Sequence, residues 1–321
     1  NDYDALFAEV RTALPGQCAV EQIEIYDHSF LPVKDAKMEL LVNLRHLIYL
    51  IIVFGFFEAF YYYTRLVKYS SLLNLLGELH PRVVVLFADM QPLENAVAQF
   101  FNGRGASTVT LQHGLYVEYS GMDTINRVNY ENVVSKYFIA WGTVTADLVK
   151  KYNSQVNTVI CGKPTLKLRM VVSEAPQEFF VFLDQKLFRE NNQKLLDIAS
   201  EFAETIGWHG FVGVHPADDF DKYKLDSKKL VQSTRHWTEF NVALGHSSSV
   251  IFEAARIGLT VYQLRSTVPA IKLPDCFRFE SAKELLTAVD RPSDHTGFSS
   301  TCIAEIGRSS LDRYSDFFSS L

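Results

Sequence analysis

The stretch that decides the fold is NVALGHSSSVIFEAARIGLTVYQL, residues Asn241–Leu264. An apolar run, Val242–Leu244, stops at Gly245; the hydroxyls of Ser247, Ser248 and Ser249 follow; then apolar residues recur at helical spacing as far as Gly258. A second β-rich run, Leu259–Leu264, comes straight after. Strand, polar loop, helix and strand in that order make a βα unit of a parallel sheet. Runs that are apolar throughout, without strict alternation, read as strands covered on both faces.

The same rhythm extends outward in both directions. RVVVLFAD (82–89), STVTLQHG (107–114), KYFIAWG (136–142), NTVICGKP (157–164), FFVFLD (179–184) and GFVGVHP (210–216) read as further strands. Segments such as PLENAVAQFF and NNQKLLDIASEFAETIG carry helical spacing between them. The chain is therefore expected to be α/β, with two Rossmann-like domains. The apolar rhythm breaks in GKPTLKLRMVVSEAPQEF, which puts the boundary near residue 165. The expected organisation is an N-terminal, acceptor-side domain at 1–165 with a helical insert at 36–79, and a nucleotide-binding domain at 166–300. A C-terminal helix at 301–321 is expected to pack back on the first domain.

Composition narrows the classes of function. With 48% hydrophobic and 21% charged residues in 321, the chain has enough apolar material for real cores. A net charge of -6 gives no basic field for nucleic acid. Cys18, Cys161, Cys276 and Cys302 are far apart and form no metal-ligand spacing, which fits reduced thiols in the cytoplasm. The most apolar stretch, LIYLIIVFGFF (Leu47–Phe57), is shorter than the roughly 20 residues a membrane span needs and reads as a buried helix. The aromatics after it, Phe60 to Tyr63, with Arg65 and Lys68, offer a second reading: peripheral association with a membrane, beside a lipid-linked acceptor.

In open parallel sheets, ligands bind beyond the carboxyl ends of the strands. His80-Pro81 precedes its strand, whereas His215-Pro216 follows one and lies at the ligand edge. Ser247, Ser248 and Ser249, at the start of a helix, suit a phosphate, although capping the helix would need only one of them. Glu253 is placed to read a ribose diol; a buried salt bridge is its plainer use. Gln112 and His113 end a first-half strand, with His113 as candidate general base and Glu118 orienting it or replacing it. Asp89, Asp184 and Gln185 also end strands and are candidate contacts to acceptor or phosphate, and Lys163 is a candidate for the pyrophosphate or a hinge. The acidic run Asp218–Asp221 reads as a solvated turn, so no metal is expected. No P-loop, GxGxxG, GxSxG or HExxH motif is present in the sequence.

Taken together, LQHG, VHP and GHSSSVIFEAARIG resemble the motifs of bacterial GT-B enzymes that make capsule, lipopolysaccharide or teichoic-acid polymers. The pattern looks like the His-Pro and Ser-Ser signatures of polysialyltransferases and is similar to that of CDP-glycerol glycerophosphotransferases, over roughly residues 80–290. The resemblance implies parallel sheets facing a cleft, His215 and Ser247 to Ser249 on the nucleotide phosphates, Glu253 on the ribose and His113 as base. It implies a metal-independent, inverting glycosyltransferase with no cofactor. The donor would be a CMP-, CDP- or UDP-activated sugar, and the acceptor an oligosaccharide or lipid-linked glycan of the bacterial surface. Three alternatives stay open: a CDP-polyol phosphotransferase, a UDP-sugar 2-epimerase-like enzyme and a non-catalytic glycan-binding protein.

Overall fold

The computed structural model describes residues 2–14, 16, 19–23, 44–115, 130–165, 177–216, 218–225, 227–266, 271–290 and 296–321. Their strands form two parallel sheets. One has four strands in the order β1 (Val83–Leu86), β2 (Ser107–Leu111), β3 (Tyr137–Ala140) and β4 (Asn157–Ile160). The other has six: β5 (Glu178–Phe182), β6 (His209–Gly213), β7 (Leu230–Gln232), β8 (Val242–Gly245), β9 (Thr260–Leu264) and β10 (Arg278–Phe279).

The chain separates into two compact units that do not divide at a single point: Asn1–Leu14, Gln112–Glu131 and Phe138–Ser320 form one; Pro15–Leu111, Asn132–Tyr137 and Leu321 the other. In the smaller unit, β1 and β2 pair in parallel across α4 (Pro92–Gly103). Its core joins Leu86, Leu93, Val97 and Phe101 to Leu72 and Leu76, which lie at the far end of a long helix. That helix is α3 (Phe56–Leu76), preceded by α2 (Leu44–Phe54) and separated from it by Gly55, whose φ of 86° lies outside the helical region. The expectation of a single buried helix over Leu47–Phe57 is corrected here. The segment breaks at Gly55, and Ile48, Tyr49, Ile52, Val53, Phe54, Phe56 and Phe57 are exposed. Hydropathy reports what a segment would bury, not whether anything covers it.

In the larger unit, α1 (Asp2–Ala13) packs on α10 (Arg308–Ser320), and α5 (Thr143–Tyr152) connects β3 to β4. The six-stranded sheet runs β7-β6-β5-β8-β9-β10. Counted within the sheet, that is the 3-2-1-4-5-6 order of a doubly wound fold, whose topological switch point lies between β5 and β8. The crossovers from β5 and from β8 run in opposite directions. Right-handed connections therefore place α6 (Arg189–Ile206) and α7 (Val250–Arg256) on opposite faces of the sheet. Leu195, Leu196, Ile198, Ala199, Phe202 and Ala203 of α6 are buried in the core with Phe179, Val181, Val212 and Leu244 of the strands. On the other face, Ile251, Phe252, Ala254 and Ala255 of α7 bury just as fully.

Two strands are additions to the sequence reading: β7 has three residues with Val231 exposed, and β10 has two. Both are edge strands, too short to show a pattern. The last segment, expected as one helix over 301–321, is broken: α9 (Thr296–Cys302) ends just inside it, Ile303–Gly307 is neither helix nor strand, with Ile306 bridged to Lys163, and α10 follows. The remaining helix, α8 (Ala282–Val289), packs on α6.

Gly245, at the end of β8, has no room for a side chain: a Cβ there would collide with Cγ2 of Ile251, fully buried on α7. Gly245→Ala should cost about 2 kcal/mol by overpacking. Adding Ile251→Leu, which moves the branch point out of the way, should recover part of it. Urea unfolding of the three variants measures both effects.

Candidate functional site

The carboxyl ends of β5, β6 and β8 carry Asp184, His215 and the His246–Ser249 loop, and a buried polar cluster ties the first and third of these together. Its centre is Asn192 on α6, fully buried. The Asn192 Oδ1 accepts from the backbone amide of Asp184 at 2.9 Å, and its Nδ2 donates to the Asp184 carbonyl at 2.9 Å. Those two backbone groups fix which end of the amide is oxygen. His246 Nε2, 2.7 Å from the same Oδ1, must then be the donor of that pair. Burial holds this imidazole below its ordinary value of 6.5, against the pull of the Asp184 carboxylate 4.0 Å away. Above pH 6.5 it is therefore neutral, with its proton on Nε2 and Nδ1 bare.

Ser247 Oγ lies 3.0 Å from that bare Nδ1 and also in short contact with Asp184 Oδ2. One hydroxyl proton thus has two acceptors, and Ser247 is committed inward. Ser248 Oγ accepts weakly from the Val250 amide at 3.4 Å, and among the described residues Ser249, the N-cap, makes no side-chain cap bond. The plainer reading, that one serine caps the helix, is met only weakly, by Ser248 and not by Ser249. Asn192 Nδ2 also donates to the Tyr223 hydroxyl at 2.7 Å, and Tyr223 donates to Asp218. Burial alone would raise the Asp218 carboxyl, but Tyr223 and Arg189, the latter at 2.6 Å, hold it below the usual range. The side chain of Asp218 is 1% exposed, so this end of the acidic run is not the solvated turn expected.

Lys163 and Glu253, nominated separately from the sequence, form an ion pair at 2.5 Å with side chains 17% and 9% exposed. The plainer reading of Glu253, a salt bridge, describes its contact here. The ammonium of Lys163 also lies 4.9 Å from the Trp141 ring centre. Its backbone is stitched to the segment after α9: the Lys163 amide donates to the Glu305 carbonyl at 2.8 Å, and Gly307 donates to the Lys163 carbonyl at 3.1 Å. Gly162, at φ 88°, has the Glu305 backbone packed where a Cβ would be.

The other nominated residues are placed as follows. Gln112 is fully buried and serves the fold: Oε1 accepts from the Trp141 amide at 2.7 Å, while Nε2 donates to the Gly114 carbonyl and the Thr145 hydroxyl. Its amide is used in shaping the loop that carries His113. His113 itself is half-buried directly after β2. Glu118 lies outside the described residues. His215 is half-buried with its carbonyl accepting from Asp218, and Pro216 and Gln185 are exposed. Asp89 is buried, with Oδ2 accepting from the Val134 and Ser135 amides, and burial pushes its carboxyl up.

Sequence reasoning missed Asn192, His246, Tyr223 and Trp141. A signal for Asn192 was present. It stands three, four and seven residues before Leu195, Leu196 and Ala199, on the apolar face of α6.

Two outcomes follow. Lys163→Met should cost about 3 kcal/mol, because it strands the Glu253 carboxylate in a nearly dry position, and the double variant with Glu253→Gln should regain most of that loss in urea melts. The neutral His246 makes stability depend on pH. Below 6.5 the unfolded chain takes up a proton that the folded cluster refuses, so this contribution is present above 6.5 and is lost as pH falls. Melts on either side of that value should show the decline, and His246→Gln should flatten it.

No protein family matches the sequence, and neither does any curated protein. Solved structures do match. The pneumococcal O-GlcNAc transferase GtfA, in complex with UDP and GlcNAc, is 12% identical over 79% of this chain and 60% of its own, with a TM-score of 0.50. A Methanocaldococcus jannaschii UDP-GlcNAc 2-epimerase, in complex with UDP-GlcNAc and UDP, is 15% identical over 79% of this chain and 81% of its own, at 0.48. CalG4, the calicheamicin glycosyltransferase, is 13% identical over 94% of this chain and 78% of its own, at 0.44. The likeness is one of fold: two parallel sheets in the α/β arrangement of GT-B proteins.

Proposed function

We propose that the chain is a glycosyltransferase. It moves a sugar from a nucleotide-sugar donor to a hydroxyl of a bacterial surface glycan, of capsule or lipopolysaccharide type, in the cytoplasm at the inner face of the membrane. The observation that carries this is the switch point of the six-stranded sheet. Asp184 and the serine loop meet there, and Ser247 is turned inward while Ser248 and Ser249 lie half-buried at the start of α7. Two hydroxyls after β8 and a histidine, His215, after β6, on the two strands that flank β5, suit the charge that develops on a leaving nucleotide phosphate, in place of a metal.

On donor binding the Lys163–Glu253 pair exchanges partners, the carboxylate taking the ribose diol and the ammonium the pyrophosphate. His113, or Glu118, accepts the proton of the acceptor hydroxyl as that oxygen attacks the anomeric carbon and the bond to the phosphate oxygen breaks. Single displacement inverts the anomeric centre. The domain division near residue 165 stays part of this proposal, with the donor on the C-terminal side.

A thermal-shift panel of CMP, CDP, UDP, GDP and dTDP tests the pocket. One nucleotide class at about 100 times its dissociation constant should add about 2.7 kcal/mol of stability, and Ser248→Ala with Ser249→Ala should remove it. The mass of the product then separates sugar transfer from transfer of a polyol phosphate, and donor turnover without acceptor would mark an epimerase. No shift with any nucleotide would sink the pocket and favour a glycan-binding protein.

A further inference from the structure

Among the described residues, an apolar surface with nothing packed on it lies on α2 and α3. Phe54 and Tyr62 approach with ring centres 5.3 Å apart. Eight residues along one straight helix would separate them by about 12 Å, so the two helices fold back on each other at Gly55. Between them, Leu50, Ala59 and Tyr63 form a small core with Leu47, Ile51, Leu66 and Val67. The outside of the hairpin is apolar and uncovered: Ile52 is 77% exposed, Phe56 64%, Phe57 84% and Phe60 59%. All of them cluster at the tip. Soluble surfaces rarely carry so much contiguous apolar area without a partner.

Polarity changes along the hairpin in step on both helices. Tyr49 and Tyr61 each stand six residues from Gly55, and the sequence sets Arg45 and Arg65 each ten residues from it. At 1.5 Å per residue, the tyrosines lie about 9 Å and the arginine positions about 15 Å above the tip. The Arg65 guanidinium rests over the Tyr61 ring at 4.4 Å, which holds the cation at the level just beyond the tyrosines. An apolar tip, then phenols, then cations is the order of a membrane leaflet met from inside outward. A protein groove, or a second copy of the chain, has no reason to be layered by distance from the tip.

We infer that the α2–α3 hairpin docks on a lipid bilayer, dipping its tip into the acyl region of one leaflet with the tyrosines at the interface and the Arg65 guanidinium at the headgroup phosphates. No helix among the described residues is long and apolar enough to cross a membrane, and docking in one leaflet asks for none. Glu58 is the one charge near the tip. Its carboxylate lies 3.6 Å from where a Cβ on Gly55 would sit, turned back over the start of α3, where free amides and the helix dipole favour an anion. The inference deepens the membrane-side reading proposed above, and it supplies the means by which a lipid-linked acceptor and the enzyme meet.

Co-sedimentation with vesicles, without any nucleotide, tests it. The vesicles are phosphatidylcholine alone and phosphatidylcholine with one quarter phosphatidylglycerol. The whole chain should sediment with both, and more with the second. Ile52→Ser and Phe57→Ser, at exposed positions that leave the urea midpoint unchanged, should each weaken partition roughly tenfold. Arg65→Glu should remove most of the gain from phosphatidylglycerol. In Phe57→Trp, acyl-brominated lipid should quench the added indole fluorescence. Failure to sediment with either vesicle, or an unquenched indole, overturns the proposal. So does a concentration-dependent dimer that both serine variants abolish in the absence of vesicle binding, since a second copy would then be the occupant. Because no nucleotide is present, each of these failures leaves the transferase reading standing.

Discussion

The side-chain amide of Asn192 is oriented by two backbone groups of Asp184, and the arrangement of the candidate site follows from that one constraint. With its oxygen fixed, the histidine that follows β8 must carry its proton on Nε2, and the serine after it is drawn inward between an imidazole and a carboxylate. The next two serines, half-buried at the start of α7, are not drawn in with it. At its other end the amide holds Tyr223, which holds Asp218, which holds Arg189. A buried amide left without such partners costs on the order of 1–3 kcal/mol per orphaned group, so the network locks a single arrangement of three strand ends.

The Lys163–Glu253 pair plays a different part. Two opposite charges held in contact at the edge of the core keep the local net charge at zero. If each finds a new partner in a nucleotide, cation to phosphate and carboxylate to hydroxyls, neither is left buried and alone. Trp141 shields one side of the ammonium, which strengthens its interaction with whatever anion it faces.

Much of the second sheet was legible because its central strands are covered on both faces, and continuous apolar runs such as Phe179–Leu183 and Val242–Leu244 announce that. The edge strands were not, since β7 exposes Val231 and β10 is two residues long. The strand-end residues were legible from position, but their partners were not. Asp218 finds Arg189 across 29 positions and Asp184 finds Ser247 across 63, distances over which spacing says nothing. Gln112 was recognisable as a residue at a strand end, whereas its use in bracing the Trp141 amide depends on β3 lying alongside. The apolar run at Leu47–Phe57 carried the opposite lesson, because hydrophobic residues predict burial only when something is there to bury them.

The segment between α9 and α10 fastens residues laid down far earlier in the chain. Its carbonyls at Ile303 and Ala304 accept from Arg256, its Ala304 amide donates to the Trp141 carbonyl, and Glu305 and Gly307 clasp Lys163. Tyr314 of α10, fully buried, then reaches the Gly162 carbonyl. Strand ends laid down early are thus fastened by residues made more than a hundred positions later. During vectorial synthesis on the ribosome, the β3 and β4 loops must wait, half-assembled, until the chain through residue 314 has left the exit tunnel. Arrest of translation before that point should leave a nascent chain with the six-stranded sheet able to form and its clasp missing.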